Sequence, residues 1–201
     1  MIKNVVFDLG RVIYTFWPRE DLKNLGFDKK REDLFMSRVF GGNYWVEMDR
    51  GTYTINELLP MLTREFPDMA DDIKLVFDGK WADRVIQIIP ENLEFYYEVK
   101  NRGFRVYILS NFPSCQFAHV RARDEFLNDA DGIVVSAHEK LIKPDPAIYQ
   151  CLLGRYNLVP QETIFIDDMP QNIEAAEKLN IKGIVFKDLD DCKMKFEEMI
   201  K

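Results

Sequence analysis

Three cysteines, Cys115, Cys151 and Cys192, and two histidines, His119 and His138, are all that 201 residues offer of the usual zinc ligands cysteine and histidine. The cysteines are odd in number, widely spaced and without a C-x-x-C or a histidine at ligand spacing, so neither a disulfide framework nor a zinc site is expected, and the three read as reduced thiols. The histidines lack a serine or cysteine elbow in the right context, which argues against a Ser-His-Asp hydrolase. No apolar run approaches the ~20 residues of a membrane span, and the amino terminus lacks the basic, apolar and cleavage regions of a leader, so a cytoplasmic protein is expected. Basic residues are also in the minority, 27 against 34 acidic, for a net charge of −7. Nucleic acid and anionic membrane are poor partners for such a surface, and a small soluble ligand fits better. There is no internal repeat, low-complexity tract or long flexible linker.

What the chain does have is core material, with 47% hydrophobic residues. That is enough for one domain, or one domain with a small insert. Ile2 to Gly10 is mostly apolar and β-branched, then presents Asp8 and Gly10, the pattern of a buried strand that delivers a carboxylate at its carboxyl end. Phe104 to Leu109 repeats the pattern and stops at Ser110-Asn111, and Thr163 to Ile166 stops at Asp167-Asp168. Ligands of open parallel sheets bind beyond the carboxyl ends of the strands, so three strands ending in polar groups predict one shared site.

From Pro90 onward helix and strand alternate. A helix from about Glu91 to Arg102 is followed by the strand to Leu109, a helix after Pro113 and a strand near Ile133 to Ser136. A helix from Pro146 capped by Asp145, the strand Thr163 to Ile166, a helix from Pro170 to about Leu179, the strand Gly183 to Phe186 and a closing helix after Asp190 complete the chain. This order predicts an α/β fold: a Rossmann-like parallel sheet flanked by helices and built from right-handed βαβ units. The segment between the first two strands differs. Arg19 to Asp83 has helical periodicity and no convincing strand, and with its entry it holds Trp17, Trp45 and Trp81. Thr54-Ile55-Asn56-Glu57 reads as a capping box leading into Leu58, Leu59, Leu62 and Phe66. The expected division is a core of residues 1–16 and 85–201 with a helical cap of residues 17–84. The tryptophans are expected in the core of that cap rather than as a ligand platform, and the junction at Tyr14, Phe16 and Trp17 should lie over the site.

Taken singly, Asp8, Ser110, Lys143 and Asp167-Asp168 are ordinary turn or surface residues. In this order, each after the right element and with a helical insert between the first two, they resemble the four motifs of the haloacid dehalogenase-like (HAD) hydrolase superfamily over nearly the whole chain. The Leu9-Gly10 sequel and residues 166 to 176 look most like the sugar-phosphatase branch that includes α-glucose-1-phosphate phosphatases. The resemblance implies Asp8 as nucleophile, attacking phosphorus to form an aspartyl-phosphate that water cleaves. It implies Ser110 and the backbone N–H of Asn111 as donors to the phosphoryl oxygens, and Lys143 as the cation that offsets their charge. It implies Mg²⁺ held by Asp8, the Gly10 carbonyl and Asp168, a set of hard oxygen donors. Asp167 stands where glycine is frequent and Asn172 where a later acid is, and both are expected around the metal rather than on it. Lys140 competes with Lys143 and ranks below it.

The sequence departs from the pattern at Gly10, where phosphatases of this family carry a second aspartate as general acid and base, an effect typically worth about 10² to 10⁴-fold. An anomeric leaving group that needs little protonation, a water, or a residue of the insert would each fill the gap. The expected activity is that of a Mg²⁺-dependent phosphatase of a small phosphorylated metabolite, such as glucose 1-phosphate. The alternatives are a 2-haloacid dehalogenase, which needs no such acid, and a binding module without turnover.

Overall fold

The computed structural model describes residues 1–201. Five strands, β1 (Asn4–Phe7), β2 (Arg105–Ser110), β3 (Gly132–Val135), β4 (Thr163–Asp167) and β5 (Lys182–Val185), form one parallel sheet in the order β3-β2-β1-β4-β5. The chain builds outward from β1 on one side, then returns to build on the other. The switch point of the sheet therefore falls between β1 and β4, where open α/β sheets bind their ligands.

Alternate strand residues separate cleanly to two faces, as the period of two requires. Val5, Phe7, Val106, Ile108, Ile164 and Ile166 join one buried cluster, and Val6, Tyr107, Leu109 and Phe165 join the other. After six helices between β1 and the second half of the chain, α1 (Pro18–Asn24), α2 (Lys29–Phe35), α3 (Asn43–Asp49), α4 (Ile55–Glu65), α5 (Ala70–Val76) and α6 (Trp81–Val85), comes α7 (Pro90–Asn101). The remainder are α8 (Ser114–Arg123), α9 (Phe126–Asp129), α10 (Ser136–Glu139), α11 (Pro146–Tyr156), α12 (Pro170–Glu177) and α13 (Leu189–Ile200). Helices α7 and α13 cover the first face, with the Phe95 ring edge-on to Phe7 at 6.1 Å and to Phe196 at 5.6 Å. Helices α11 and α12 cover the second through Ile148, Tyr149, Leu152, Ile173 and Ala176.

Several boundaries follow from caps. The Asp188 side chain accepts the Asp191 N–H at 2.8 Å, so the last helix starts at Leu189, earlier than the sequence pattern suggested. Asn180 takes a left-handed φ of 63°, and α12 stops at Glu177, short of the expected Leu179. Ser136 begins a helical turn rather than ending β3. The Thr54–Glu57 capping box is present in full, and Asp145 caps α11 by accepting the Ala147 N–H at 2.9 Å.

The segments that enter and leave α1 to α6 run side by side. Thr15 N–H donates to the Gln87 carbonyl at 2.7 Å and Ile89 N–H to the Ile13 carbonyl at 2.9 Å. The Thr15 hydroxyl donates to the Val85 carbonyl at 3.0 Å. Trp81 is buried and packs edge-on to the half-buried Trp45 at 5.5 Å, whereas Trp17 is exposed. The three cysteines are free thiols. No helix is long and apolar enough to cross a membrane.

Candidate active site

The sheet register sets the site. Phe7 lies opposite Ile108 of β2 and Ile166 of β4, so the next residue of each strand end meets the others: Asp8 beside Asp167, with Ser110 one step further along β2. Asp8 N–H donates to the Ile166 carbonyl at 2.9 Å, which holds the carboxylate at the tip of the strand. Lys143 arrives from the loop before α11 and is clamped by Asn111, whose amide oxygen accepts the Lys143 N–H at 2.8 Å and whose amide nitrogen donates to the Lys143 carbonyl at 3.0 Å.

The Lys143 ammonium, wholly buried, contacts both acids: 2.6 Å to Asp167 Oδ2 and 2.9 Å to Asp8 Oδ1. It also donates to the Leu109 carbonyl at 3.0 Å. Burial alone would lower its pKa, but Asp167 and Asp8 more than reverse this and raise it, so it stays charged. Asp8 is pushed up to about 6, chiefly by burial, with Lys143 opposing and Asp167 adding to the rise. Its approach to Lys143 is an ion pair without hydrogen-bond alignment, which leaves Asp8 Oδ1 free of an aligned donor. Ser110 Oγ is likewise buried and lies against Asp8 without an aligned hydrogen bond.

The two consecutive acids divide their work because successive residues of an extended chain face opposite ways. Both oxygens of Asp167 are taken: Oδ1 by the Met169 N–H at 2.8 Å and the Asn172 amide at 2.9 Å, Oδ2 by Lys143. Asp167 therefore anchors protein groups and has no oxygen left to orient a ligand. Asn172 sits against Asp167 on the same buried side. Asp168 instead points outward and pairs with Arg11 Nη1 at 3.0 Å; its pKa is raised by burial and by Asp167, with Arg11 and Lys143 opposing. One carboxylate oxygen from each of Asp8, Asp167 and Asp168 lies within 4.8 Å of the others. An all-oxygen set with an orphaned Asp8 atom fits a hard divalent cation, and Asp8 and Asp168 are the members with capacity to spare.

A cleft with a volume of about 90 Å³ opens beside Gly10 and Asn111 and is lined also by Phe16, Trp45, Asp49 and Trp81. Tyr14 and Phe16 line it, but Trp17 does not. It turns outward, with the Arg11 guanidinium 5.0 Å from the centre of its ring. Trp45 and Trp81 are thus wall as well as core, whereas the sequence predicts core packing rather than a ligand platform. Lys140 makes no ion pair with Asp8 and instead donates to the Gly51 carbonyl. Two functional candidates escaped the sequence: Arg11, and Asp49 at the end of α3. Trp81 Nε1 and Gln116 Oε1, both on the cleft wall, are buried without partners.

Residues 2–180 match the haloacid dehalogenase-like hydrolase family. The chain is similar to the sesquiterpene phosphatase astK of Aspergillus oryzae, with 26% identity over 90% of this chain and 88% of that protein. It is also similar to the phosphorylated carbohydrates phosphatase of Thermotoga maritima, 25% identical over 96% of this chain and 89% of that one. Three further relatives are larger, and the chain spans 17, 39 and 35% of their lengths. Among solved structures, a HAD family enzyme of Bacteroides thetaiotaomicron in complex with magnesium and inorganic phosphate superposes with a TM-score of 0.74 at 22% identity, over 96% of this chain and 99% of that one.

Proposed function

The chain belongs to the haloacid dehalogenase-like hydrolases, and on that premise we propose that it is a phosphomonoesterase of a small hydroxylated metabolite, acting through Asp8. The observation that carries the reading is the buried Asp8–Lys143–Asp167 group beside the orphaned Ser110 hydroxyl. A carboxylate held next to an ammonium and an unpaired O–H is the arrangement that attack on a phosphoryl group requires.

In the proposed reaction Asp8 attacks phosphorus and the ester oxygen departs, giving an aspartyl-phosphate that water then cleaves. Ser110 Oγ and the Asn111 N–H, which has no acceptor in the fold, donate to the phosphoryl oxygens. Lys143 balances the charge that gathers between Asp8 and the phosphate. Asp8, the Gly10 carbonyl and Asp168 are the groups that would hold Mg²⁺, whose charge would screen the two approaching anions when it is bound. The helical segment, residues 17–84, acts as a cap that excludes water when closed over the cleft.

The cleft supports a hydroxylated substrate. Its volume is smaller than the roughly 150 Å³ of a cavity that takes up benzene, and in the proposed cycle the cap opens to admit the substrate. On closure the Trp81 N–H and the Gln116 carbonyl need partners. A sugar such as glucose 1-phosphate supplies hydroxyls to both, whereas a terpenyl chain would leave two buried polar groups unpaired at about 1–3 kcal/mol each. The two similar phosphatases named for sesquiterpene and carbohydrate substrates bracket this choice. Phosphate release from sugar 1- and 6-phosphates and from farnesyl phosphate, with and without Mg²⁺, tests it, with Asp8→Asn as blank and 2-chloropropionate as control. Metal-dependent release from sugars alone is expected. Preference for farnesyl phosphate would overturn the substrate class, and metal-independent halide release would overturn the phosphatase.

A further inference from the structure

Departure of an alcohol from phosphorus needs a proton, and the sheet offers none. Lys143 is locked between two acids, Asp167 is fully hydrogen bonded and Asp8 must attack as the anion. At Gly10 the wall is bare: a Cβ built there meets nothing within 4 Å. The cleft wall contains two titratable side chains, Tyr14 and Asp49. The Tyr14 hydroxyl is already committed, donating to Asp124 at 2.7 Å. Asp49 is not: its carboxylate makes no ion pair and no hydrogen bond to the protein, although its backbone is pinned. The Asp49 carbonyl accepts from the Ser136 hydroxyl, which itself accepts the Phe112 N–H at 2.9 Å. Two residues on, Gly51 takes a φ of +78° against the Ala137 backbone, and its carbonyl accepts from Lys140. The end of α3 is thus fastened to the turn after β3, which fixes a free carboxylate in the cleft wall.

We propose that Asp49, delivered by the cap segment, is the general acid and base of the phosphoryl transfer and takes the place left open at Gly10. The proposal rests on the phosphomonoesterase reading above. In the first half-reaction the Asp8 oxygen–phosphorus bond forms, the phosphorus–ester oxygen bond breaks, and the Asp49 proton goes to the departing oxygen to give the alcohol. In the second, Asp49 as carboxylate takes a proton from water while the water oxygen bonds to phosphorus and the Asp8–phosphorus bond breaks. Phosphate leaves, and both acids return to their starting states. Burial and the neighbouring Asp8 carboxylate push the Asp49 carboxyl up, with Lys143 opposing, the direction that favours a proton donor. Because Asp49 comes from the cap, the proton donor is assembled only when the cap is closed.

The test compares esters whose leaving groups differ in their need for a proton. Acetyl phosphate releases a stable carboxylate, aryl phosphates of graded acidity lie between, and glycerol 3-phosphate releases an alkoxide. For Asp49→Asn, kcat on glycerol 3-phosphate is expected to fall about 10² to 10³-fold and on acetyl phosphate less than tenfold, with a steeper dependence on leaving-group basicity than wild type. Asp49→Glu, which keeps an acid on a longer arm, is expected to recover part of the loss on the poor leaving group alone, and thermal melting of both variants establishes that they fold. Equal losses on all esters, or no loss on any, would overturn the role of Asp49. Asp8→Asn is expected to be inactive throughout. Activity retained in that variant, or none in wild type, would remove the phosphatase reading and the proposal with it.

Discussion

Lys143 Nζ lies 2.6 Å from Asp167 Oδ2, and neither side chain exposes more than 1% of its surface. This pair aims the ammonium at Asp8, because Asp167 is itself fixed by Asn172 and the Met169 N–H. Removing one partner from a buried pair strands the other charge, at a cost of about 3–5 kcal/mol. Asp167→Asn is therefore expected to lower the free energy of unfolding in urea by about 3 kcal/mol and turnover by tenfold or more. A loss below about 1 kcal/mol would mean that Asp8 alone suffices to hold Lys143.

Arg11 would compete with the proposed cation for Asp168. Its guanidinium is half exposed, so the 3.0 Å pair is weak, worth about 0.5–1 kcal/mol. Arg11 also sits at a φ of 61°, and asparagine tolerates that conformation where alanine does not. Arg11→Asn is expected to bind Mg²⁺ about two- to fivefold more tightly in calorimetry without substrate. Weaker binding would show that Arg11 positions Asp168 instead of masking it.

The raised pKa of Asp49 sets a direction for stability against pH. Between about pH 4 and pH 7 the folded protein keeps a proton on Asp49 that the unfolded chain has released, so the contribution of this group falls as pH rises and the penalty is complete above about 7. Asp8 and Lys143 are the charged groups that act on it. Asp49→Asn, in chelator, is expected to be more stable than wild type by about 2 kcal/mol at pH 8, discounted from 1.36 kcal/mol per pKa unit because the side chain is partly exposed, and equal to it at pH 4. The same difference at both pH values would place its cause outside this titration.

These residues differ in how far the sequence exposes them. The sheet was legible because each strand is a local apolar run with a polar stop, and the alternation of strand and helix allows few topologies. Asp8, Ser110 and Asp167 fall at those stops. Which of Asp167 and Asp168 turns inward does not follow from the strand pattern, since an extended pair sends one each way and the choice depends on where Lys143 and Asn172 come from; only the family resemblance separates their roles. Trp45 and Trp81 carry the signature of core because they are core on one side; the cleft on the other side comes from docking. Asp49 has no signature at all. An Asp-Arg-Gly at a helix end becomes part of a site only when α3 meets the turn after β3, more than eighty residues away.

That meeting point gives the last prediction. Gly51 packs so closely on Ala137 that an added Cβ would overlap the Ala137 backbone, and its φ of +78° disfavours any side chain. Neither backbone can yield without breaking the Ser136–Asp49 and Lys140–Gly51 bonds, so the strain is relieved by lifting the end of α3 from the core. Gly51→Ala is therefore expected to cost about 1–3 kcal/mol, the range for a strained backbone position. It should also reproduce the leaving-group pattern of Asp49→Asn, with glycerol 3-phosphate turnover suffering tenfold more than acetyl phosphate turnover. If the variant loses stability while keeping the wild-type ratio between the two esters, the fastening of α3 supports the fold alone and Asp49 reaches the cleft without it.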